Sequence, residues 1–248
     1  MWIPQILDKT SSYDDLVTGK IPALIIPGVL SKIDCTSTCS KILNISKINR
    51  TSIKFGTSLS SHIYEKSKYF SNAQKSNKIL KNLFLNNFSP LTLMRQKISK
   101  LSEKKIYTAT ENDRFYSDAV IRIHGNDNSV HLHRDNSNFE MCDYNVSQIK
   151  NQLSAILYLQ SPNEGGQLTI FHKMWNKKDE HLREPEFGYS SNLIKNVSQK
   201  KILPTAGTMV VLNPKLYHQV EPVVGKQSRI SLGFFFGEMT KNYLYSWT

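Results

Sequence analysis

The sequence predicts an α+β chain: a double-stranded β-helix core (jelly-roll or cupin-like) with an α-rich N-terminal part packed outside it. Three observations carry the prediction. Near residue 107 the hydrophobic pattern changes from helical three-to-four spacing to strand-like alternation. Six or more strand-like runs follow, separated by turns rich in Gly, Asn and Pro. Two distant runs carry histidines near an end, and in a jelly roll such ends meet at the open mouth. We therefore expect one domain over 1–248, with 1–106 as the α-rich part and 107–248 as the core. At 248 residues the chain can bury a core of that size.

Residues 1–20 are polar, with few apolar anchors. Ile21-Pro22-Ala23-Leu24-Ile25-Ile26 reads as a short buried strand, stopped by Pro27-Gly28. Ser31, with Asp34 three residues on, opens a helix in the manner of a capping box. Ile33, Cys35, Cys39, Ile42 and Leu43 line that helix, which is expected to run to about Ser46. Residues 47–75 are polar and read as an irregular flap or substrate-facing segment, or, as the favoured reading, one whose Phe55, Tyr64, Tyr69 and Phe70 are lids on the core. Ile79 to Phe84 reads helical. Ser89-Pro90 is a second start: Ser as N-cap, Pro at the first helical position, where its missing N–H is not needed. Leu91, Met94, Ile98 and Leu101 mark the buried face. Lys97, Lys100, Lys104 and Lys105 suit the C-terminal end of the helix dipole and read as a solvated face.

Beyond Tyr107, Asp118 to His124 alternates as a strand, residues 125–128 turn, and Ser129 to His133 is the next strand. Gln152 to Leu159 is strongly apolar. Pro162-Asn163-Glu164-Gly165-Gly166 reads as a hairpin turn, so that Gln167 to His172 pairs back on that strand. Residues 173–203 form a Lys-rich insertion with Trp175 near its start. Gly207 to Leu212 is a further buried strand, followed by His218, a turn around Gly225 and the run Arg229 to Phe236. No internal repeat is visible.

The formal net charge is +12 and the pI about 9.5. The lysines are scattered and form no basic stripe with stacking aromatics, so nucleic acid is not the expected partner. Three cysteines do not make a disulfide framework, and Cys35 and Cys39 sit at i, i+4 as core residues. No apolar run approaches the ~18 residues of a membrane span, and no leader pattern opens the chain. The expectation is a soluble, cytoplasmic protein. Nothing in the pattern sets an oligomeric state.

The stretch Val130-His131-Leu132-His133-Arg134-Asp135-Asn136 holds the chemistry. As a strand it would place His131, His133 and Asp135 on one face. Two His and one carboxylate, with open positions, suit a non-haem Fe(II) oxygenase site. HxD alone is a weak signal and needs a second His on another strand; His218 is the candidate. Arg229 and Ser231 follow on the next strand, where a planar guanidinium can hold a carboxylate by two parallel hydrogen bonds. Arg122, His124, Phe139 and Trp175 are candidates to line the pocket.

As an ordered set, these residues resemble an Fe(II)/2-oxoglutarate-dependent oxygenase. More narrowly, residues 20–248 resemble the freestanding hapalindole/welwitindolinone-type halogenase and hydroxylase group. The matching features are Ala23 to Val29, the Glu164-Gly165-Gly166-Gln167-Leu168 stretch leading to Trp175, Leu212-Asn213, Tyr217-His218, Ser228-Arg229, Gly233-Phe234 and Tyr243 to Trp247. The resemblance implies that His133, Asp135 and His218 bind Fe(II). It implies that 2-oxoglutarate chelates the iron and pairs with Arg229, helped by Ser231, and that O2 is consumed. It implies an enzyme oxidising an unactivated C–H of a small molecule: a natural product, or an amino-acid- or nucleotide-like compound. Halogenases of the group carry a small residue where hydroxylases carry the carboxylate, and Asp135 fills that position here. Laying their His-x-Gly on His131-Leu132-His133 would leave no carboxylate, whereas His133-Arg134-Asp135 completes a triad. The expected reaction is hydroxylation, with His131 just inside the barrel beside the metal or 2-oxoglutarate. Desaturation, cyclisation or halogenation are alternatives on the same iron. A nucleic-acid-directed oxygenase and a non-catalytic binding module are rivals from other classes.

Overall fold

The computed structural model describes residues 1–7, 13–49, 54–84, 89–240 and 242–248. Three long helices come first: α1 (Lys32–Asn49), α2 (Lys66–Leu83) and α3 (Pro90–Ser102). Ser31 Oγ accepts the Asp34 N–H at 3.1 Å and donates to the Asp34 carboxylate at 2.6 Å, which starts α1. The helix runs about one turn past the expected Ser46. Ser89 Oγ accepts the Thr92 N–H at 3.3 Å and Pro90 opens α3, whose Leu91, Met94 and Ile98 are buried.

Helix α2 corrects the reading of 47–75 as irregular, since it begins at Lys66. Its first turns are polar in sequence, and one aromatic face fixes them. Tyr69, Phe70 and Ala73 pack on Tyr116, Tyr144 and Trp247, partners supplied by distant parts of the chain. The Tyr69 hydroxyl donates to the Thr248 carbonyl at 2.7 Å and accepts the Ser117 N–H at 3.0 Å. Positions 50–53 of that stretch lie outside the described residues.

The core strands are β1 (Leu24–Ile26), β2 (Val120–His124), β3 (Val130–His133), β4 (Lys150–Gln160), β5 (Leu168–Met174), β6 (Gln199–Ile202), β7 (Met209–Leu212), β8 (Leu216–Val220), β9 (Arg229–Thr240) and β10 (Tyr243–Trp247). Among the described residues they build two facing sheets. The larger has the order β1-β7-β4-β9. The far edge of β9 pairs first with β2, along Arg229 to Gly233, and then with β10. The smaller sheet has the order β6-β5-β8-β3.

The chain after β4 does not fold back on it, contrary to the hairpin expected at residues 162–166. Strand β5 joins the other sheet, between β6 and β8. The crossing uses Gly165 and Gly166 at φ 71° and 64°, where L side chains are strained. A Cβ on Gly165 would sit 2.0 Å from the Pro222 carbonyl oxygen. This crossing separates two sheets and leaves a space between them.

Strand alternation then sorts the side chains. On β4, Leu153, Ala155, Leu157 and Leu159 pack towards the helices, while Ser154, Ile156 and Tyr158 face the other sheet. On β9, Ile230 and Leu232 join the helical side, and Arg229, Ser231 and Gly233 face inward. On β2, Ile121 and Ile123 lie outward, and Val120, Arg122 and His124 inward. The small sheet's outer face carries Leu132, Phe171 and Tyr217 under Trp175, Tyr189 and Leu193. Residues 175–197 thus provide the cover that the helices provide on the opposite side, while Gln199–Ile202, expected as part of the same insertion, is strand β6 of the sheet itself. All three cysteines are free, with Cys35 and Cys39 buried. No described helix is long and apolar enough to cross a membrane.

Candidate metal centre

Strand β3 reaches the inter-sheet cavity through a β-bulge. His133 pairs with His218 and Val130 with Val220, so His131 and Leu132 together oppose the single residue Gln219. The extra residue turns both Val130 and His133 towards the cavity and Leu132 into the outer cluster. His131 is exposed and does not line the cavity, which corrects the expectation that it sits inside the barrel. Asp135 follows the strand, and its N–H donates to the Pro214 carbonyl at 2.9 Å, tying it to the turn that leads into β8.

One ligand-type atom each from His133, Asp135 and His218 lies within 4.8 Å of the others. Asp135 Oδ2 is 3.5 Å from His218 Nε2 and 3.9 Å from His133 Nε2; the imidazole centroids are 4.1 Å apart. His133 Nδ1 lies 2.8 Å from the His131 carbonyl, and His218 Nδ1 2.8 Å from the Leu216 carbonyl. A carbonyl only accepts, so each Nδ1 donates its proton there and Nε2 is the ring atom turned to the centre. Burial is the main cause that pushes His133 down to about 4; His218 adds to it and Asp135 opposes it. Burial alone would raise Asp135. The hydrogen bond with His218 and the charges of His133, His218 and Arg122 outweigh it and hold the carboxyl below its usual range.

Across the cavity, Arg229 is only 2% exposed. Its Nη1 donates to His124 Nδ1 at 3.1 Å and to Ser231 Oγ at 3.4 Å. Its Cζ stands 5.0 Å from the Tyr158 ring centroid. The Nε is buried without a hydrogen-bond partner among the described residues. Burial, then Arg229 and Arg122, push His124 down to about 4, so it serves as a neutral acceptor. The cavity between these walls measures about 290 Å³, and Phe187 and Glu140 also line it.

The structure therefore gathers His133, Asp135 and His218, and sets Arg229, Ser231, Arg122 and His124 on the facing wall. Phe139 and Trp175 do not line the cavity. Their ring centroids lie 4.8 Å apart with the planes tilted by 50°, and the Arg134 guanidinium stands 5.3 Å and 4.7 Å from those centroids. Arg134, the middle residue of HxD, also pairs with Glu140 at 2.9 Å and Glu180 at 3.0 Å. Glu180 further accepts from Trp175 Nε1 and the Tyr189 hydroxyl, each at 2.6 Å. Sequence reasoning missed Tyr158, Glu140 and Phe187. Tyr158 was findable, because it shares the inward parity of Ser154 and Ile156 on β4; Phe187 sits in the insertion, where no periodicity marks it.

Two such sheets, with a two-His, one-carboxylate cluster between them, define the jelly-roll class to which non-haem oxygenases belong. A family model described as "Carrier-protein-independent halogenase WelO5" matches residues 1–248, and the chain belongs to that family. Curated relatives include the leucinostatins biosynthesis cluster protein S of Purpureocillium lilacinum, 27% identical over 135 residues, 52% of this chain and 54% of that protein. The L-gamma-glutamyl-L-propargylglycine hydroxylase of Streptantibioticus cattleyicolor is 30% identical over 97 residues, 39% and 36% of the two chains. These matches span about half or less of the curated relatives' length. Among solved structures, an N-substituted L-amino acid dioxygenase from Burkholderia ambifaria AMMD superposes with TM-score 0.65 at 13% identity, covering 95% of this chain and 89% of that one. HygX from Streptomyces hygroscopicus, with nickel and 2-oxoglutarate bound, gives TM-score 0.57 at 13% identity, with 93% and 88% covered.

Proposed function

We propose that the chain is an Fe(II)/2-oxoglutarate-dependent oxygenase that hydroxylates an unactivated C–H of a small molecule. One observation carries the reading: three electron-pair donors from His133, Asp135 and His218 converge with both imidazole Nδ1 protons tied away. Such a set fits a divalent first-row ion, and iron in particular when open positions are needed. The facing wall fits the co-substrate, because Arg229 is buried, planar and left with an unpartnered Nε that a carboxylate would satisfy. We read residues 1–248 as one oxygenase domain, with 1–106 as its outer layer. Free cysteines agree with a cytoplasmic setting.

In this reading His133, His218 and Asp135 hold the iron, and Arg229 with Ser231 holds the far carboxylate of 2-oxoglutarate. The bound iron, with 2-oxoglutarate and O2, supplies the oxidising power for C–H hydroxylation. The protein's residues set geometry: the Leu216 and His131 carbonyls fix ring orientation, and neutral His124 orients the guanidinium. Asp135 decides the reaction within a family named for halogenation. Its carboxylate stands where a halogenase of this group leaves room for halide, so the product carries no halogen. A screen for substrate-stimulated succinate formation from 2-oxoglutarate over a metabolite library tests the activity. Mass spectrometry of the product formed in high chloride tests the role of Asp135, and a chlorinated main product overturns it.

A further inference from the structure

Arg95, Arg134 and Arg229 have assigned partners, whereas Arg122, whose side chain keeps an exposed surface, has none among the described residues. Arg95 pairs with Asp118 at 2.9 Å, Arg134 with two glutamates, and Arg229 with His124 and Ser231. Arg122 sits on the inward face of β2, directly opposite Ser231, and lines the cavity. Among the described residues no hydrogen bond or ion pair holds its guanidinium. Its free surface opens into the cavity, not onto the outside of the sheet, whose outer side is the helix-covered face.

A second cation stands beside it. Lys54, on the short strand Lys54–Phe55, is the cross-strand neighbour of Arg122, and like charges in that position repel. Lys54 Nζ donates to Ser58 Oγ at 2.6 Å, and Ser58 and Ser60 line the same cavity. Burial first, and Arg122 second, push Lys54 down to about 8. The other charged or titratable groups facing this space are Arg229, His124, His133, Asp135, His218 and Glu140. Glu140 is held by Arg134 and by Arg183, at 3.2 Å.

Counting charges on the oxygenase reading above, the iron dication and Arg229 are balanced by Asp135 and the 2-oxoglutarate dianion. The Arg134 and Arg183 pairs balance Glu140 and Glu180. Arg122 and its lysine neighbour remain. Arg122 keeps its surface open to the cavity, so an anion entering there meets a cation that no protein group already occupies.

We propose that Arg122, backed by Lys54 and Ser58, is an anion subsite that selects a substrate carrying a carboxylate; this rests on the oxygenase reading. The planar fork of a guanidinium matches a carboxylate by two parallel hydrogen bonds. Binding there holds one end of the substrate on the large sheet, across the cavity from the metal cluster on the small one. The subsite is distinct from Arg229, whose guanidinium already has His124 and Ser231 to orient it.

The test uses calorimetric titration of the full chain, loaded with Fe(II) and 2-oxoglutarate and, separately, metal-free. The probes are the N-acetyl amino acids, each beside its primary amide, which has the same shape without the charge. We expect a subset of the acids to bind, with their amides weaker by about tenfold or more. Arg122→Gln should erase that preference, leave 2-oxoglutarate affinity unchanged and iron affinity within a few fold, since Arg122 also acts on the Asp135 carboxyl, and keep the thermal midpoint near wild type. Equal binding of acids and amides, or no acid binding, overturns the proposal. A large fall in thermal midpoint makes Arg122 structural and overturns it too. Weakened 2-oxoglutarate binding in Arg122→Gln assigns the residue to the co-substrate instead. Failure of the oxygenase reading shows separately, as wild-type protein that binds neither iron nor 2-oxoglutarate, while the acid-over-amide preference is still read on the metal-free chain.

Discussion

Arg229 is the residue whose surroundings are most specific. Its Nη1 is spoken for by His124 and Ser231, its face by Tyr158, and its Nε by no group among the described residues. A lysine lacks the fork needed to replace it. We expect Arg229→Lys to raise the 2-oxoglutarate KM by about tenfold or more, with iron affinity little changed; steady-state kinetics beside anaerobic iron titration checks this, and an unchanged KM removes Arg229 from the site. His124 gives a pH signature. Its folded pKa of about 4 lies below the ordinary 6.5, so between those values the unfolded chain binds a proton that the folded chain refuses. Stability therefore falls as pH drops from 6.5 towards 4, by up to ~1.4 kcal/mol per pH unit for this one group. His133 contributes in the same direction in metal-free protein. His124→Asn keeps an acceptor for Arg229 and removes the titrating ring, so urea denaturation across that pH range should show a shallower slope. An unchanged slope means that His124 is not the group responsible.

At the scale of elements, what was legible was local. Ser89-Pro90 named the start of α3, and the inward parity of Arg229 and Ser231 followed from alternation alone. The start of α2 was not legible, because Tyr69 and Phe70 find their partners in Tyr116, Tyr144 and Trp247, far along the chain. The supposed hairpin failed for a related reason: residues 162–166 signal a turn, but which sheet receives β5 depends on β6 and β8. The bulge in β3 was invisible because an extra residue leaves the one-dimensional pattern intact while exchanging faces. It yields a sharp test. His131→Ala should leave iron affinity within a few fold of wild type, and His218→Ala should weaken it by more than the 10–100-fold typical of residues that merely orient ligands. Loss of binding in His131→Ala, with His133→Ala unaffected, would reverse the ligand assignment. The insertion is anchored to HxD through Arg134, whose side chain is fully buried between Glu140 and Glu180. Arg134→Gln removes the buried cation and leaves Glu140 and Glu180 only the exposed Arg183, and a loss of about 3 kcal/mol, the low end for breaking a buried pair, is expected in chemical denaturation. A change below ~1 kcal/mol would mean that the pairs are no more than surface ion pairs.

Across the whole molecule, helices cover one sheet, the insertion covers the other, and the cavity lies where the two inner faces meet. No single element owns the candidate centre: His133 and His218 face each other only because β3 and β8 pair across a long stretch of intervening chain. That pairing has a kinetic consequence. Contacts between distant segments form late, after the entropy of closing the loop has been overcome. A refolding chain therefore presents isolated histidines for most of its search and a chelating centre only at the end. Added Fe(II) then acts on the native state alone, slowing unfolding rather than hastening folding. At a hundredfold excess over its Kd it contributes about 2.7 kcal/mol. Stopped-flow refolding and unfolding, with and without the metal under anaerobic conditions, should show the whole effect on the unfolding limb. Faster refolding would mean that the two strands meet early, and that the centre is a nucleus of the fold and not its last product.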